Sequence, residues 1–411
     1  MGYNPLVPSW HIGCSQGAAI LVNRARERGR GSAFCGSPVG RNPIARGRVV
    51  IYGSWPATFT DLVLMALFGR KKTTVALDIG SGLIKLVQIS HGTGETVLTK
   101  VATTQVVDDA IVEGEVMDKG IVADAVRGLM ASSGIKTKQV VTAVGGRDVI
   151  IKKIAMDRMK EAEAREVIRW EAEQQVPFDM DNVELDFQIL DPDADGLQMT
   201  VLLVAAKREL VETKLALLRD VGLEPSIIDV DAFALHNAFE VNHPDAMRGV
   251  VGLVNIGHET TNVNILDDGV PVLTRDISIG TRRLREGLQR ERGLSAQEAE
   301  RMLQAFETDP MLLPFLENRG EELAVGIERA AAFLQSASRS AGGVSRLFTT
   351  GGGSRIPGLN KILADRLRLP VQQANPIQRL TVAEGVFDMV ERDEIAPLLM
   401  LPIGLALRSA A

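Results

Sequence analysis

Apolar positions change their period several times along this chain, and each change marks an element. From Thr73, the residues Val75, Leu77 and Ile79 fall on one face of a strand. After Gly80-Ser81-Gly82, Ile84 and Leu86 and then Val87 and Ile89 resume as a second strand. The spacing predicts strand, tight turn, returning strand. Residues 146–231 then predict a strand at Val149 to Ile154 and a charged helix from Arg158 to Val176, stopped by Pro177. A strand with Val183, Leu185, Phe187 and Ile189 alternating follows, then a turn from Asp191 to Gly196. Next come a strand from Met199 to Ala206, an amphipathic helix from Arg208 to Val221 and a strand from Ser226 to Val230. That β-α-β-β-α-β order predicts a small α+β subdomain inserted in a larger unit.

The second half uses the strand-turn-strand pattern again. Val250 to Ile256 leads through a glycine turn into Asn262 to Leu266, and Asp268-Gly269 signals a hairpin into Val272 to Ile277. Helices are predicted at 281–292, at 295–306, where Ser295 and Glu298 form a capping box, and at 320–339. A strand from Ser345 to Thr350 runs into Gly351-Gly352-Gly353-Ser354, and Pro357-Gly358 opens another helix. With Pro397 and Pro402, residues 395–411 read as a buried closing segment rather than an amphipathic membrane helix.

The 411 residues are enough for more than one core, and a formal charge of -6 does not suggest nucleic acid. No apolar run approaches the roughly 18 to 20 residues that span a bilayer, which predicts a cytoplasmic or peripheral protein. Residues 1–64 differ from the rest. They hold both cysteines, both tyrosines, and seven arginines without a lysine, against only Glu27 and Asp61. With no sustained period there, the segment reads as a disordered extension or as sequence upstream of a true start at Met65; the alternative is a basic tail touching anionic lipid.

The chemistry lies in an echo. Val75-Ala76-Leu77-Asp78-Ile79-Gly80-Ser81-Gly82 is answered by Val254-Asn255-Ile256-Gly257-His258-Glu259-Thr260-Thr261. A strand ending in a carboxylate before Gly-Ser-Gly lets backbone N–H groups crowd around an anion, while the carboxylate holds a hydrated cation. Two such turns facing each other would clamp a polyphosphate. The GxxxxGK[ST] spacing and the helix that a P-loop needs after its turn are both absent, so Walker and Rossmann sites are set aside.

These two turns and the triple glycine at 351 resemble, in order and separation, the signatures of the actin-like ATPase superfamily. The inserted subdomain resembles that of the FtsA and PilM branch. Leu67-Phe68-Gly69-Arg70-Lys71-Lys72 and the stretch from Glu166 to Phe178 are similar to the PilM family of type IV pilus assembly proteins. The resemblance implies an α/β, actin-like fold of two duplicated ribonuclease H-like lobes with ATP and Mg²⁺ between them. It divides the chain into an extension (1–64), a first lobe (65–145 and 226–248) holding the insertion (146–225), a second lobe (249–382, with a helical part at about 281–342) and a closing segment (383–411). As partner it implies the cytoplasmic N-terminal peptide of PilN, with PilO, PilP and the pilus motors reached indirectly, a possible homo-oligomer, and contact with the inner membrane only peripherally.

In that frame Gly80, Ser81 and Gly82 hold phosphates with Lys85, and Gly257, His258 and Thr260 face them from the second turn. His258 is expected to contribute its backbone rather than act as acid or base. Asp78 and Asn255 hold Mg²⁺ through water; Asp231 orients the attacking water or simply caps a helix. Glu300 reaches the ribose, and Gly351, Gly352, Gly353 and Ser354 lie along the adenine. Trp170, Val176, Pro177 and Phe178 are expected to anchor the peptide in a groove between insertion and first lobe, the alternative being subdomain core. Asn255 is the departure, because an amide supplies no negative charge. The expectation is an ATP binder with weak or no ATPase activity. An FtsA-like filament protein and a sugar kinase are the rival functions, the latter lacking a convincing base besides Asp231.

Overall fold

Val75 and Leu77 are buried on one face of the first strand and Ala76 on the other, which is why the run is apolar throughout rather than alternating. The computed structural model describes residues 72–92, 95–305, 309–337, 343–388 and 390–408. The expected extension 1–64, the Met65 start and the segment 67–71 lie outside the described residues.

Strand β1 (Lys72–Ile79) pairs antiparallel with β2 (Leu83–His91), and β2 with β3 (Thr96–Gln105). A small hairpin, β4 (Ile111–Val112) and β5 (Glu115–Val116), precedes helix α1 (Lys119–Ser133). That helix starts where Asp118 accepts the Ile121 N–H and stops at Gly134, which is left-handed. Strand β6 (Gln139–Val144) then lies parallel to β1.

In the insertion β7 (Val149–Asp157), α2 (Glu161–Gln175), β8 (Val183–Asp191) and β9 (Gln198–Lys207) build a separate three-stranded antiparallel sheet covered by α2. Helix α3 (Arg208–Asp220) leads out of it. The last strand of the predicted pattern, β10 (Glu224–Val230), does not join that sheet. It pairs parallel with β6, where Ile227 and Ile228 meet the apolar face of the first lobe. Helix α4 (Asp231–Asn242) follows and is buried on nearly every side.

The second lobe holds β11 (Val250–Ile256), β12 (Thr261–Asp267) and β13 (Val270–Ile277). Asp268 and Gly269 both have positive φ, as a two-residue hairpin turn with the native twist requires. Helices α5 (Thr281–Arg292), α6 (Ala296–Gln304) and α7 (Leu312–Ala337) are followed by β14 (Arg346–Thr350), α8 (Leu359–Leu367) and β15 (Val371–Gln373). The capping box of Ser295 and Glu298 is formed. Helix α7 begins at Leu312, earlier than the predicted 320, because Pro314 falls in its first turn, where no N–H is needed.

Strand β16 (Thr381–Val382) returns to the edge of the first sheet, and α9 (Arg392–Ile395) and α10 (Met400–Leu407) close the fold. The sheet orders are β10-β6-β1-β2-β3-β16 and β13-β12-β11-β14-β15. Each therefore contains the same unit, three antiparallel strands followed by two parallel ones. Residues Met400 to Ala406 are buried on all sides, so the closing helix has no face left for a membrane. Behind it Arg408 grips Asp229 with two hydrogen bonds of 2.6 and 3.1 Å. Among the described residues no helix is long and apolar enough to cross a membrane.

Candidate functional site

Strand β1 delivers Asp78 to the C-terminal end of the strands, where Gly80 N–H donates to the Leu83 carbonyl (3.2 Å) and closes the first turn. Lys85, opposite Asp78 on β2, donates from Nζ to Asp78 Oδ2 at 2.7 Å. Strand β11 delivers Asn255 in the same way. Gly257 N–H donates to the Thr260 carbonyl (2.9 Å), and the Gly257 and His258 carbonyls accept from the N–H groups of Thr281 and Arg282. The second turn is thereby tied to the start of α5.

The two turns touch. A Cβ built on Gly82 would stand 2.7 Å from His258 Cγ and 2.9 Å from His258 Cβ, closer than side-chain carbons approach. Between the lobes lies a cleft of about 720 Å³, the size of a small-molecule site. Asp78, Gly80, Ser81, Gly82, Lys85, Asp231, Asn255, Gly257, His258, Thr260, Glu300, Gly351 and Gly352 all line it.

Gly353 and Ser354 sit beneath the wall instead. The missing side chain of Gly353 makes room for Ile256, and Ser354 Oγ donates to the Gly351 carbonyl (2.8 Å). Gly351, with φ of 81°, is bare because a Cβ would meet Asn255 Oδ1 and the Ile256 carbonyl. Within this glycine run, bare backbone facing the cleft is thus confined to Gly351 and Gly352.

Asp231 is the first residue of α4; Val230 holds the N-cap position and no side-chain cap bond is made, so the capping alternative fails. Burial pushes the Asp231 carboxyl up to about 7, with Asp78 adding repulsion and Lys214 and Lys85 opposing it. Burial likewise raises Asp276, although Asn262 Nδ2 donates to it at 2.8 Å. Burial lowers the pKa of His258, and the Arg285 charge adds to the effect, so its ring is neutral at pH 7. A neutral ring packed on Gly82, with Thr281 Oγ1 at 3.4 Å, fits a spacer between turns.

Sequence reasoning missed Lys214 and Arg285. Lys214 comes from α3 of the insertion and lines the cleft without a hydrogen-bond or ion-pair partner among the described residues; burial lowers its pKa while Asp231 and Asp78 raise it. Nothing in the sequence separates it from a solvent-facing lysine of an amphipathic helix. Arg285 donates to Asp108 at 2.8 Å and stands 3.8 Å from Glu300. Arg282 donates to Asp109 (2.7 Å) and to Glu259 (3.0 Å), and Glu113 N–H donates to Glu259. These links cross the cleft rim from the 108–113 segment of the first lobe to the second turn and α5.

The four expected anchor residues divide. Val176 is buried in the subdomain core, and Phe178 packs on that core under Lys207 Nζ, 5.1 Å from the ring centroid. Pro177 is exposed. Trp170 is 71% exposed, half a helical turn away from the buried Ala164, Ile168 and Ala172 of α2, so the core alternative does not apply to it.

Duplicated sheets whose glycine turns meet over a shared cleft define the actin-like class of α/β proteins. Residues 76–410 match the family model described as type IV pilus assembly protein PilM. The chain belongs to that family. Among solved structures it is similar to a PilM-PilN type IV pilus biogenesis complex, at 27% identity and a TM-score of 0.72, over 82% of this chain and 99% of that one. It is also similar to the ethanolamine utilization protein EutJ from Carboxydothermus hydrogenoformans, at 18% identity and a TM-score of 0.50, over 83% and 91% of the two chains. The second likeness is one of fold alone.

Proposed function

We propose that this member of the pilus assembly family works at the cytoplasmic face of the inner membrane as a nucleotide-gated adaptor that docks the N-terminal peptide of PilN. The contact of Gly82 with His258 carries the nucleotide part of the reading, because it sets two anion-binding turns on one ligand. ATP fits this cleft in volume and donors: backbone N–H groups of Ser81 and Gly82 and of His258 to Thr260 for phosphates, those of Gly80 and Gly257 being spent on closing their own turns, Lys85 for charge, Gly351 and Gly352 as bare wall, Glu300 for a ribose hydroxyl. Among the described residues no group of three or more His, Cys, Asp or Glu side chains is placed to cage a metal. A Mg²⁺ ion brought by the phosphates would be held through water by Asp78 and Asn255.

Asn255 leaves that arrangement one charge short, which supports slow hydrolysis, with Asp231 as the group that orients water. ATP then acts as a switching ligand and mechanical work belongs to separate motors. Similarity to a PilM-PilN complex supports the partner, and the exposed Trp170 on α2 supplies an aromatic anchor for it. The burial of Met400 to Ala406 disfavours reading α10 as an FtsA-like membrane helix.

The test is capture of this chain by an immobilised synthetic peptide of the PilN N-terminus. Capture that strengthens with Mg-ATP and weakens in Trp170→Ala, without a change in melting temperature, is expected. No capture with or without ATP refutes the docking; equal capture in both refutes the gating.

A further inference from the structure

Helix α3 joins two bodies. Near its start Val211 packs with Val144, Ala206 and Ile228, and near its end Leu217 and Leu218 are fully buried with Val75 and Leu77 in the first lobe's core. Between these anchors Lys214 is directed into the cleft. Its neighbours there are Asp78 and Asp231, yet it forms no hydrogen bond or ion pair among the described residues. Lys85, the other lysine on this wall, is already held by Asp78 at 2.7 Å.

A half-buried ammonium that lines the cleft beside two carboxylates without a direct partner is placed to be completed by an anionic ligand. Asp78, Asp231 and Asp276 repel a bare polyphosphate, so its far end needs a cation on the same side. We propose that Lys214 binds the terminal phosphate of a nucleoside triphosphate and makes the cleft prefer triphosphate to diphosphate. Because α3 carries the lysine, a triphosphate ties the insertion to the cleft and a diphosphate does not. The inference rests on the nucleotide reading above and names what that site senses.

Fluorescent ATP and ADP analogues are titrated with Mg²⁺ into the full chain, into Lys214→Met, Lys214→Gln and Lys214→Arg. One charge-assisted hydrogen bond corresponds to about 10- to 100-fold in affinity. Both neutral variants are expected to lose about that factor for ATP and less than about twofold for ADP, with arginine retaining most of the preference. In the wild type, ATP but not ADP is expected to slow amide exchange across Arg208–Asp220. The ATP-to-ADP ratio is measured within each protein, so a general loss of stability, which weakens both ligands, does not imitate the effect. Equal weakening of both nucleotides, or unchanged binding of both, overturns the assignment while leaving the nucleotide site in place. Wild-type chain that binds neither overturns both readings.

Discussion

Replacing Gly82 by alanine tests the facing turns directly. Gly82 does not have positive φ, so alanine strains no backbone there, and the whole effect comes from its new methyl group. That group would lie 2.7 Å from His258 Cγ and 2.9 Å from His258 Cβ, whereas carbons rest about 3.5 to 4.0 Å apart, so the turns must part by roughly 0.8 Å. Rotating the imidazole moves Cγ but leaves Cβ in place. Overpacking of this kind costs about 1–3 kcal/mol of stability. Phosphate bonds from one turn lengthen by the same distance, and losing one bond to a charged group weakens ATP by about 10- to 100-fold. Calorimetric titration and thermal melting measure both. Adding His258→Gly, which removes Cβ and Cγ together, should restore most of the affinity, and His258→Ala less of it. Wild-type binding by Gly82→Ala, or a double variant no better than the single one, would refute the contact.

Asp231 has a folded pKa of about 7 against an ordinary 3.8, so the folded protein keeps a proton that the unfolded chain releases. That stability is fully present below the unfolded value and lost as pH rises through about 7; Asp231→Asn should therefore exceed wild type in urea midpoint at pH 8 and converge with it near pH 4. Arg408→Met strands a buried carboxylate at Asp229 and is expected to cost about 3–5 kcal/mol at neutral pH. Burial already holds the Asp229 pKa above its ordinary value, so the loss should shrink toward acid, where the folded state holds the proton, and urea midpoints at pH 5 and 8 check the sign. Asn255→Asp supplies the missing charge beside the second turn. Single-turnover assays with labelled ATP should show it faster than wild type, and robust wild-type turnover insensitive to the change would refute the switching role.

The glycine turns were legible because their signal is local: a strand period, a break, small residues at fixed spacing. Ser295 with Glu298, and Asp268 with Gly269, were readable for the same reason. Partner choice was not. Whether β10 pairs with the insertion or with β6 depends on a strand 85 residues away, and its own apolar pattern serves either edge. Arg285 and Asp108 are 177 residues apart, and a charge at either position looks like any solvated one. Trp170 shows a signal that was available: its phase on α2 is opposite Ile168 and Ala172, which places it outside the core. Gly353 shows the converse, since a glycine run after a strand cannot say which member faces a ligand and which one faces Ile256.

Thr74 Oγ1, near the start of β1, lies 3.4 Å from the carbonyl of Arg408. The two ends of the described residues thus meet at one corner of the fold, and the described chain is nearly a closed ring. A permuted version that joins 408 to 72 by a short linker and opens at the exposed turn from Asp191 to Gly196 should fold with both glycine turns uncut. Such a molecule would carry its ends on the insertion, where a fluorophore could report nucleotide state without touching either lobe.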